Sequence, residues 1–296
     1  MIELRPAVSD EELEAWRSVR RAILPNERVS TVAELRAQIE WDTLFLLAFV
    51  QGRLAGSGIS TNSSSGGAFT QPRVLPAFRG RGVGSAVLRA LADQALACGH
   101  AEAGAQVEEP GAIGFATRFG FVEKNRQLEQ VRAIAPDEPA PELPPGIELV
   151  RLHGRETLRA RLWSELVEAA LGDLVLDRPV QVSEDEYWRD WLPSTEWTVV
   201  ALHDGAIVGM AGLVDDADQP QRAENALTAV RRDLRRRGIG RALKQWTLRC
   251  AAERGLTEVY TWTQTGNEAM QELNRSLGYV DRDLVVNVRA PLPLAG

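Results

Sequence analysis

The sequence predicts an α/β fold of the α+β kind, built twice along one chain of 296 residues. Three observations predict it. An odd arginine–glycine motif occurs in two places, FRGRGVG at 78–84 and LRRRGIGR at 234–241. The segments around it match in the same order. IEL at 2–4 recurs at 147–149, LLAFVQGRLAG at 46–56 parallels VVALHDGAIVG at 199–209, and FGFV at 119–122 answers LGYV at 277–280. Self-similarity in fixed order marks repeated supersecondary units. Finally, APDEPAPELPPG at 135–146 holds five of the chain's 15 prolines. Such a stretch is extended and cannot enter a sheet interior. The chain therefore divides into a first domain at 1–134, a linker at 135–146 and a second domain at 147–296.

Each copy is expected to begin with a strand, followed by helical patterns at 10–21 and 32–39 in the first. A hairpin comes next; in the second copy Asp204-Gly205 is a turn pair suited to positive φ. A strand then runs into the arginine motif and a helix leaves it. Ile239, Leu243, Trp246 and Cys250 recur at i, i+4, i+7 and i+11, one face of a helix. Gly255 stops that helix, as Gly99 stops the one beginning near Val83. LTEVYTWT at 256–263 reads as a strand. Residues 267–277 read as a short helix turning Met270, Leu273 and Leu277 inward, and a final hairpin closes each copy.

Composition narrows the function. The chain is 44% apolar and 25% charged, typical of a globular protein. Its formal net charge of −7 argues against a general nucleic-acid binder, so the arginine clusters need a local explanation. Cys98 and Cys250 form no CxxC, and His100, His153 and His203 stand apart, so no metal site is expected. MIELRPAVSDEEL at the start has neither a charged lead nor a long apolar run, so no signal peptide is expected. No 18-residue apolar segment suggests a membrane span. A cytoplasmic location is the expectation.

The motif's place between strand and helix supplies the local explanation. A helix start leaves backbone N–H groups unpaired and concentrates partial positive charge, which suits a phosphate. Gly238 and Gly240 remove Cβ atoms that would block close approach and permit nest-like dihedrals. The arginines add fixed cations. The motif reads as a pyrophosphate cradle. Two other readings stand beside it: a solvated glycine-assisted turn, and a nucleic-acid contact without interleaved aromatic residues.

The spacing R-x-x-G-x-G, at Arg79/Gly82/Gly84 and again at Arg235/Gly238/Gly240, resembles the acetyl-CoA-binding motif of the GNAT N-acetyltransferase superfamily. FATRFGFVE at 115–123 and LNRSLGYVD at 273–281 resemble the helix and strand that follow it there. The resemblance covers nearly all of both halves. It implies two tandem domains, each a mixed, splayed, mostly antiparallel sheet flanked by helices. It also implies acetyl-CoA as cofactor and no metal. The diphosphate would lie on Arg79, Gly80, Arg81, Gly82, Val83 and Gly84 in the first copy. In the second it would lie on Arg235, Arg236, Arg237, Gly238, Ile239, Gly240 and Arg241. Pantetheine would follow Val74 in one copy and Thr228, Ala229 and Val230 in the other, where a backbone N–H polarises the thioester carbonyl. Asn267 either hydrogen-bonds the cofactor or caps its helix.

The copies differ where chemistry is expected. In histone-type members of the superfamily the general base is a glutamate eleven residues before the motif's first residue. That place is Glu224 in the second copy and Ala68 in the first. Ala226, Leu227 and Ala229 are apolar neighbours able to raise a carboxylate's pKa. The family's acid tyrosine falls at Asn274 in the second copy and Ala116 in the first; the family's asparagine falls at Asn267 and Glu109. Glu224 and Asn274 are thus the catalytic candidates. Tyr260 or Tyr279 either replaces the acid or is a core aromatic. A thiol leaves with a pKa near ~8.5, so the acid is helpful rather than essential.

The function these readings reach is an acetyl-CoA-dependent N-acetyltransferase. It would act by direct attack of a primary amine, on a small molecule or peptide, within a ternary complex. The alternative is a non-catalytic acyl-CoA-binding sensor or assembly module. The second copy is expected to be the catalyst; the first binds acetyl-CoA, shapes the acceptor cleft, or is a worn copy. Asp215, Asp216, Asp218, Glu184, Asp185 and Glu186 either draw a cationic acceptor or are solvated loops and helix starts. Trp188, Trp191 and Trp197 line an acceptor pocket or a core. No nucleic-acid or membrane partner is expected. A tandem repeat makes its own pseudo-dimer, so a monomer and a homodimer both fit.

Overall fold

The computed structural model describes residues 1–39, 43–64, 66–108, 110–174, 178–192, 194–216 and 218–296. The first half runs β1 (Ile2–Pro6), α1 (Asp10–Ile23), α2 (Val32–Ile39), β2 (Leu44–Val50), β3 (Arg53–Asn62), β4 (Ala68–Val74), α3 (Val83–Ala97), β5 (Glu102–Val107), α4 (Ile113–Arg118) and β6 (Val122–Ala133). The second half runs β7 (Ile147–Arg151), α5 (Glu156–Leu162), a wider turn at Trp163–Val167 and α6 (Glu168–Leu171). Then come α7 (Glu184–Glu186), widening into Tyr187–Trp191, β8 (Thr198–His203), β9 (Ala206–Asp215), β10 (Arg222–Asn225) and β11 (Ala229–Val230). α8 (Ile239–Glu253), β12 (Glu258–Gln264), α9 (Glu268–Ser276) and β13 (Val280–Pro291) complete it.

Local chemistry sets these elements. α1 starts at a reciprocal cap, Ser9 N–H to Glu12 Oε2 at 2.9 Å and Glu12 N–H to Ser9 Oγ at 3.3 Å. In β2, alternate side chains serve opposite layers. Phe45 and Leu47 pack on Leu13, Trp16 and Leu35 of α1 and α2. Leu46 and Ala48 pack on Val83, Val87 and Leu91 of α3. The second half repeats this. Val199 and Ala201 of β8 meet Ile239 and Leu243 of α8, while Val200 joins Leu166, Tyr187 and Trp188 on the other face.

The chain forms two compact units, residues 1–125 with 285–296, and residues 126–284. In the first unit the strand order is β1-β2-β3-β4-β5 followed by the end of β13. Only the β4–β5 pair is parallel. In the second the order is β7-β8-β9-β10-β12-β6, with β11 beside β9 and only β10–β12 parallel. Both are mixed, mostly antiparallel sheets with helices on both faces.

The unit borders differ from the expected 1–134 and 147–296. The cause is strand pairing. Residues 127–133 of β6 form a ladder with Gln264–Glu258 of β12, in the second unit. Residues 286–291 of β13 form one with Val107–Glu102 of β5, in the first. Each unit thus takes its last strand from the other half of the chain. A second difference concerns α9, whose deepest residues are Gln271 and Asn274 rather than Met270, Leu273 and Leu277. Among the described residues no helix is long and apolar enough to cross a membrane.

Candidate active site

Gly238 caps α8 with φ 84°, and the first helical donor back to its carbonyl is Ala242 N–H at 3.0 Å. The N–H groups of Ile239, Gly240 and Arg241 therefore have no partner within this 15-residue helix. The left-handed positions are Arg236 (φ 65°) and Gly238; in the first copy they are Gly80 (φ 72°) and Gly82 (φ 80°). Gly240 lies within α8. A Cβ there would stand 3.5 Å from Leu273 Cδ2 and 3.7 Å from Val230 Cγ2. Both are ordinary van der Waals distances. Gly84 likewise faces Phe115 and Val74, each at 3.4 Å.

The arginines divide by task. Arg235 Nε donates to the Val230 carbonyl at 3.0 Å, and Arg79 Nε to the Val74 carbonyl at 3.1 Å. The motif's first arginine is therefore a strut between loop and strand in both copies. Arg235 and Arg232 also share the carboxylate of Asp173, which their hydrogen bonds, that of Arg232 foremost, hold below the usual aspartate range. Arg241 is tied to Ser276 Oγ at 2.9 Å. Arg236 and Arg237 are exposed and make no hydrogen bond or salt bridge among the described residues. Arg81 leans over the Phe78 ring at 5.8 Å.

The strand before the loop opens in one copy only. Asn225 pairs with Leu213 and Ala229 with Met210, so β10–β11 advances four residues where β9 advances three. That extra residue is a bulge at 226–228. β12 pairs with β10 only across Arg222–Glu224, which leaves the far edge of 226–230 without a ladder among the described residues. Arg231 N–H bonds back to Val208 at 2.9 Å, so the alternation of an antiparallel ladder turns Val230 N–H to that open edge. Thr228 Oγ1, on the bulge, is buried without a partner.

In the first copy β3 and β4 pair residue for residue from Gly56↔Val74 to Asn62↔Ala68. No bulge forms. β5 ladders with Ala68 and Phe69 only, but beyond them side chains lace the two strands. Thr70 Oγ1 donates to the Gly104 carbonyl at 3.3 Å, and Gln71 bonds both backbone groups of Gln106 at 2.8 Å. Arg73 forks onto Glu108 with two 2.6 Å bonds. Pro72, in Thr228's place, has no N–H to offer.

Glu224 is half-buried in β10, opposite Val214 and beside Tyr260. Paired residues share a face. Val214 belongs to the core of Leu166, Tyr187 and Trp188, so Glu224 looks toward the layer of α5–α7. Ala68, its counterpart by counting, is 1% exposed and offers no base, and the strand register puts Phe69 in its place. Asn274 departs from its expected role. It is fully buried, and its Nδ2 is spent on Gln130 Oε1 at 2.8 Å and Thr263 Oγ1 at 3.4 Å, which fastens α9 to β6 and β12. Asn267 caps α9, accepting Met270 N–H at 3.3 Å. Tyr260 lies under the Arg222 guanidinium at 4.5 Å. Burial pushes the Tyr279 phenol far above its ordinary value. Both tyrosines are core aromatics. Ala116 is buried on α4, and Glu109 lies outside the described residues.

The acidic groups are spoken for. Asp215 pairs with Arg254, Asp216 lies 3.8 Å from Arg222, and Asp218 N–H bonds to Asp216. Glu186 closes a capping box with Ser183, in which Glu184 and Asp185 are first-turn residues. Trp188 and Trp191 pack around Tyr187, while Trp197 lies elsewhere, under Arg151 and Arg254. The sequence reading missed Asp173, Gln71 and Pro72; only the proline, interrupting FTQPRV, carried a visible signal.

A strand–turn–helix unit thus recurs in two like mixed sheets, one of them opened before a helix start with free amides. The acetyltransferase (GNAT) family model matches residues 8–121 and 161–279, and the chain belongs to that family. It is an N-acetyltransferase, and enzymes of this family use acetyl-CoA. A mycothiol acetyltransferase of Thermobispora bispora is 30% identical over 216 residues, covering 70% of each chain. One of Nocardia farcinica is 30% identical over 243 residues, covering 79% of this chain and 78% of that protein. Among solved structures, a GCN5-related N-acetyltransferase from Sphaerobacter thermophilus matches with a TM-score of 0.79 at 19% identity, covering 98% of this chain and 95% of that one. A tandem GNAT protein from the clavulanic acid biosynthesis pathway matches with a TM-score of 0.75 at 20% identity, covering 98% of each. These two show the fold.

Proposed function

We propose that the second unit transfers an acetyl group from acetyl-CoA to the primary amine of a small molecule, by direct attack in a ternary complex. The observation that carries this is the coincidence, in one unit, of an open strand edge, an orphaned Thr228 hydroxyl and a half-buried carboxylate at Glu224. The residues suit the cofactor. The amides of Ile239–Arg241 with Arg236 and Arg237 would hold its diphosphate, and the edge of Thr228–Val230 would align its pantetheine. When bound, acetyl-CoA supplies the activated thioester. Val230 N–H is aimed to steady negative charge on the carbonyl oxygen. Glu224 takes the proton that the attacking amine sheds, directly or through a water. The first unit lacks bulge and base, Pro72 withdraws the amide that Thr228 has, and its crevice is laced; on this reading it serves as scaffold.

The names of the two 30%-identical relatives support a small-molecule acceptor. On this reading the un-acetylated amine of mycothiol is the first acceptor to offer. The test is thiol release from acetyl-CoA across a panel of amines. Saturable amine-dependent release is expected; coenzyme A binding without release for any amine would overturn the reading.

A further inference from the structure

Beneath the end of β10 lies a polar cluster that the reaction as written does not use. Lys244, on α8, is 1% exposed, and its Nζ donates to Asn225 Oδ1 at 2.9 Å. Asn225 is the last residue of β10 before the bulge. Its Nδ2 donates to the Gly212 carbonyl at 3.1 Å, and its own carbonyl accepts from Thr261 Oγ1 at 2.9 Å. The Gly212 carbonyl also accepts Ala226 N–H, the first bulge amide, at 3.0 Å. Thr247 Oγ1 stands 3.5 Å from the same Asn225 oxygen. The Tyr279 ring lies 5.3 Å from Nζ, its buried hydroxyl without a partner. One lysine–asparagine bond thus joins α8 to the point where the sheet opens.

The first copy answers the lysine, both threonines and the tyrosine with apolar residues. Leu88 stands for Lys244, Leu91 for Thr247, Ala105 for Thr261 and Phe121 for Tyr279, while the strand register puts Thr70 in the place of Asn225. The same fold therefore closes over hydrocarbon at this place, and there the strand runs on without a bulge. A buried ammonium with no carboxylate beside it costs free energy that leucine does not. The cost is borne only in the copy whose strand opens.

We propose that Lys244 is a positioning residue for acetyl transfer: through Asn225 it fixes the strand end and the bulge amides that face the acyl group. This rests on the assignment of the acyl site to the open edge of 226–230. Burial pushes the Lys244 ammonium down to about 7, and Tyr279 is the titratable group packed against it.

The test is Lys244→Met in the full chain, followed by thermal melting, coenzyme A calorimetry and acetyl-transfer kinetics. The expected result is a Tm at or above that of the unaltered protein and coenzyme A affinity within threefold. With these, kcat should fall tenfold or more at little-changed KM for acetyl-CoA. A folded variant with kcat within twofold overturns the proposal. Should Lys244→Met fail to fold, the pair Lys244→Leu with Asn225→Thr installs the first copy's residues. A tenfold loss of kcat in that variant supports the proposal and an unchanged kcat overturns it. Failure of the acyl-site assignment is separate, since the unaltered protein would then release no thiol with any amine.

Discussion

Gln71 grips the backbone of Gln106 with both ends of its amide, Nε2 to the carbonyl and Oε1 from the N–H, each at 2.8 Å. That grip closes the crevice in the first unit whose equivalent stands open in the second. The protein is therefore expected to bind one coenzyme A per chain by calorimetry, and a stoichiometry of two would contradict this. Gln71→Ala strands a buried donor and acceptor at about 1–3 kcal/mol each. It should lower the Tm and leave the transfer rate unchanged.

Glu224→Gln keeps the shape of the side chain and removes its basicity. A loss of about 10²–10⁴-fold in kcat is expected for a missing general base, with coenzyme A affinity within twofold. Stopped-flow measurement of thiol release separates the two quantities. An unchanged rate would remove Glu224 from the mechanism.

Asp173 draws Arg232 and Arg235 away from the phosphate loop, while Arg235 keeps its separate bond to the Val230 carbonyl. Asp173→Asn should therefore leave the loop anchored but more positive. Coenzyme A is expected to bind about three- to tenfold tighter, with a steeper dependence on ionic strength. Equal affinity at low and high salt in both proteins would count against this role.

Stability should depend on pH through Lys244, whose ammonium burial lowers from 10.5 to about 7. Between those values the unfolded chain binds the proton and the folded chain does not. Stability then rises with pH across the window, by at most roughly 1.4 kcal/mol per unit, and the gain is lost as pH falls toward 7. Urea melts at pH 7, 8 and 9 should show this rise, and Lys244→Met should flatten it.

Arg236 holds φ 65° where the first copy has Gly80. Arg236→Gly should relieve about 1–2 kcal/mol of left-handed strain and raise the Tm. It also removes one of the two arginines left for the diphosphate, so KM for acetyl-CoA is expected to rise several-fold. A lowered Tm would show that the arginine stem packs rather than strains.

Much of this was legible in the sequence because it is local. Gly82 and Gly238 announce the turn, the apolar spacing from Ile239 announces α8, and counting back from Arg235 reaches Glu224 at the strand end. What depends on distant partners was not legible. Arg235 reads as a cation for phosphate, and only the fold shows its Nε on Val230. Asn274 reads as a catalytic candidate at the family's acid position, yet Gln130, 144 residues earlier, receives its amide in the core. Nothing in the pattern of the strand at 122–133 shows that Gln264–Glu258 will pair with it. Lys244 was visible beside Leu243 on the buried side of α8. Its meaning emerges only against Leu88.

The traded terminal strands make the proline-rich stretch a poor place to sever the molecule. A nick there would release one fragment ending in 127–133 and another ending in 286–291, each holding the strand that completes its sibling's sheet. Produced apart, both would expose a raw edge prone to sticking. Produced together, they would regain acetyl transfer only by reassembling, so the enzyme is by construction a split reporter of its own two halves.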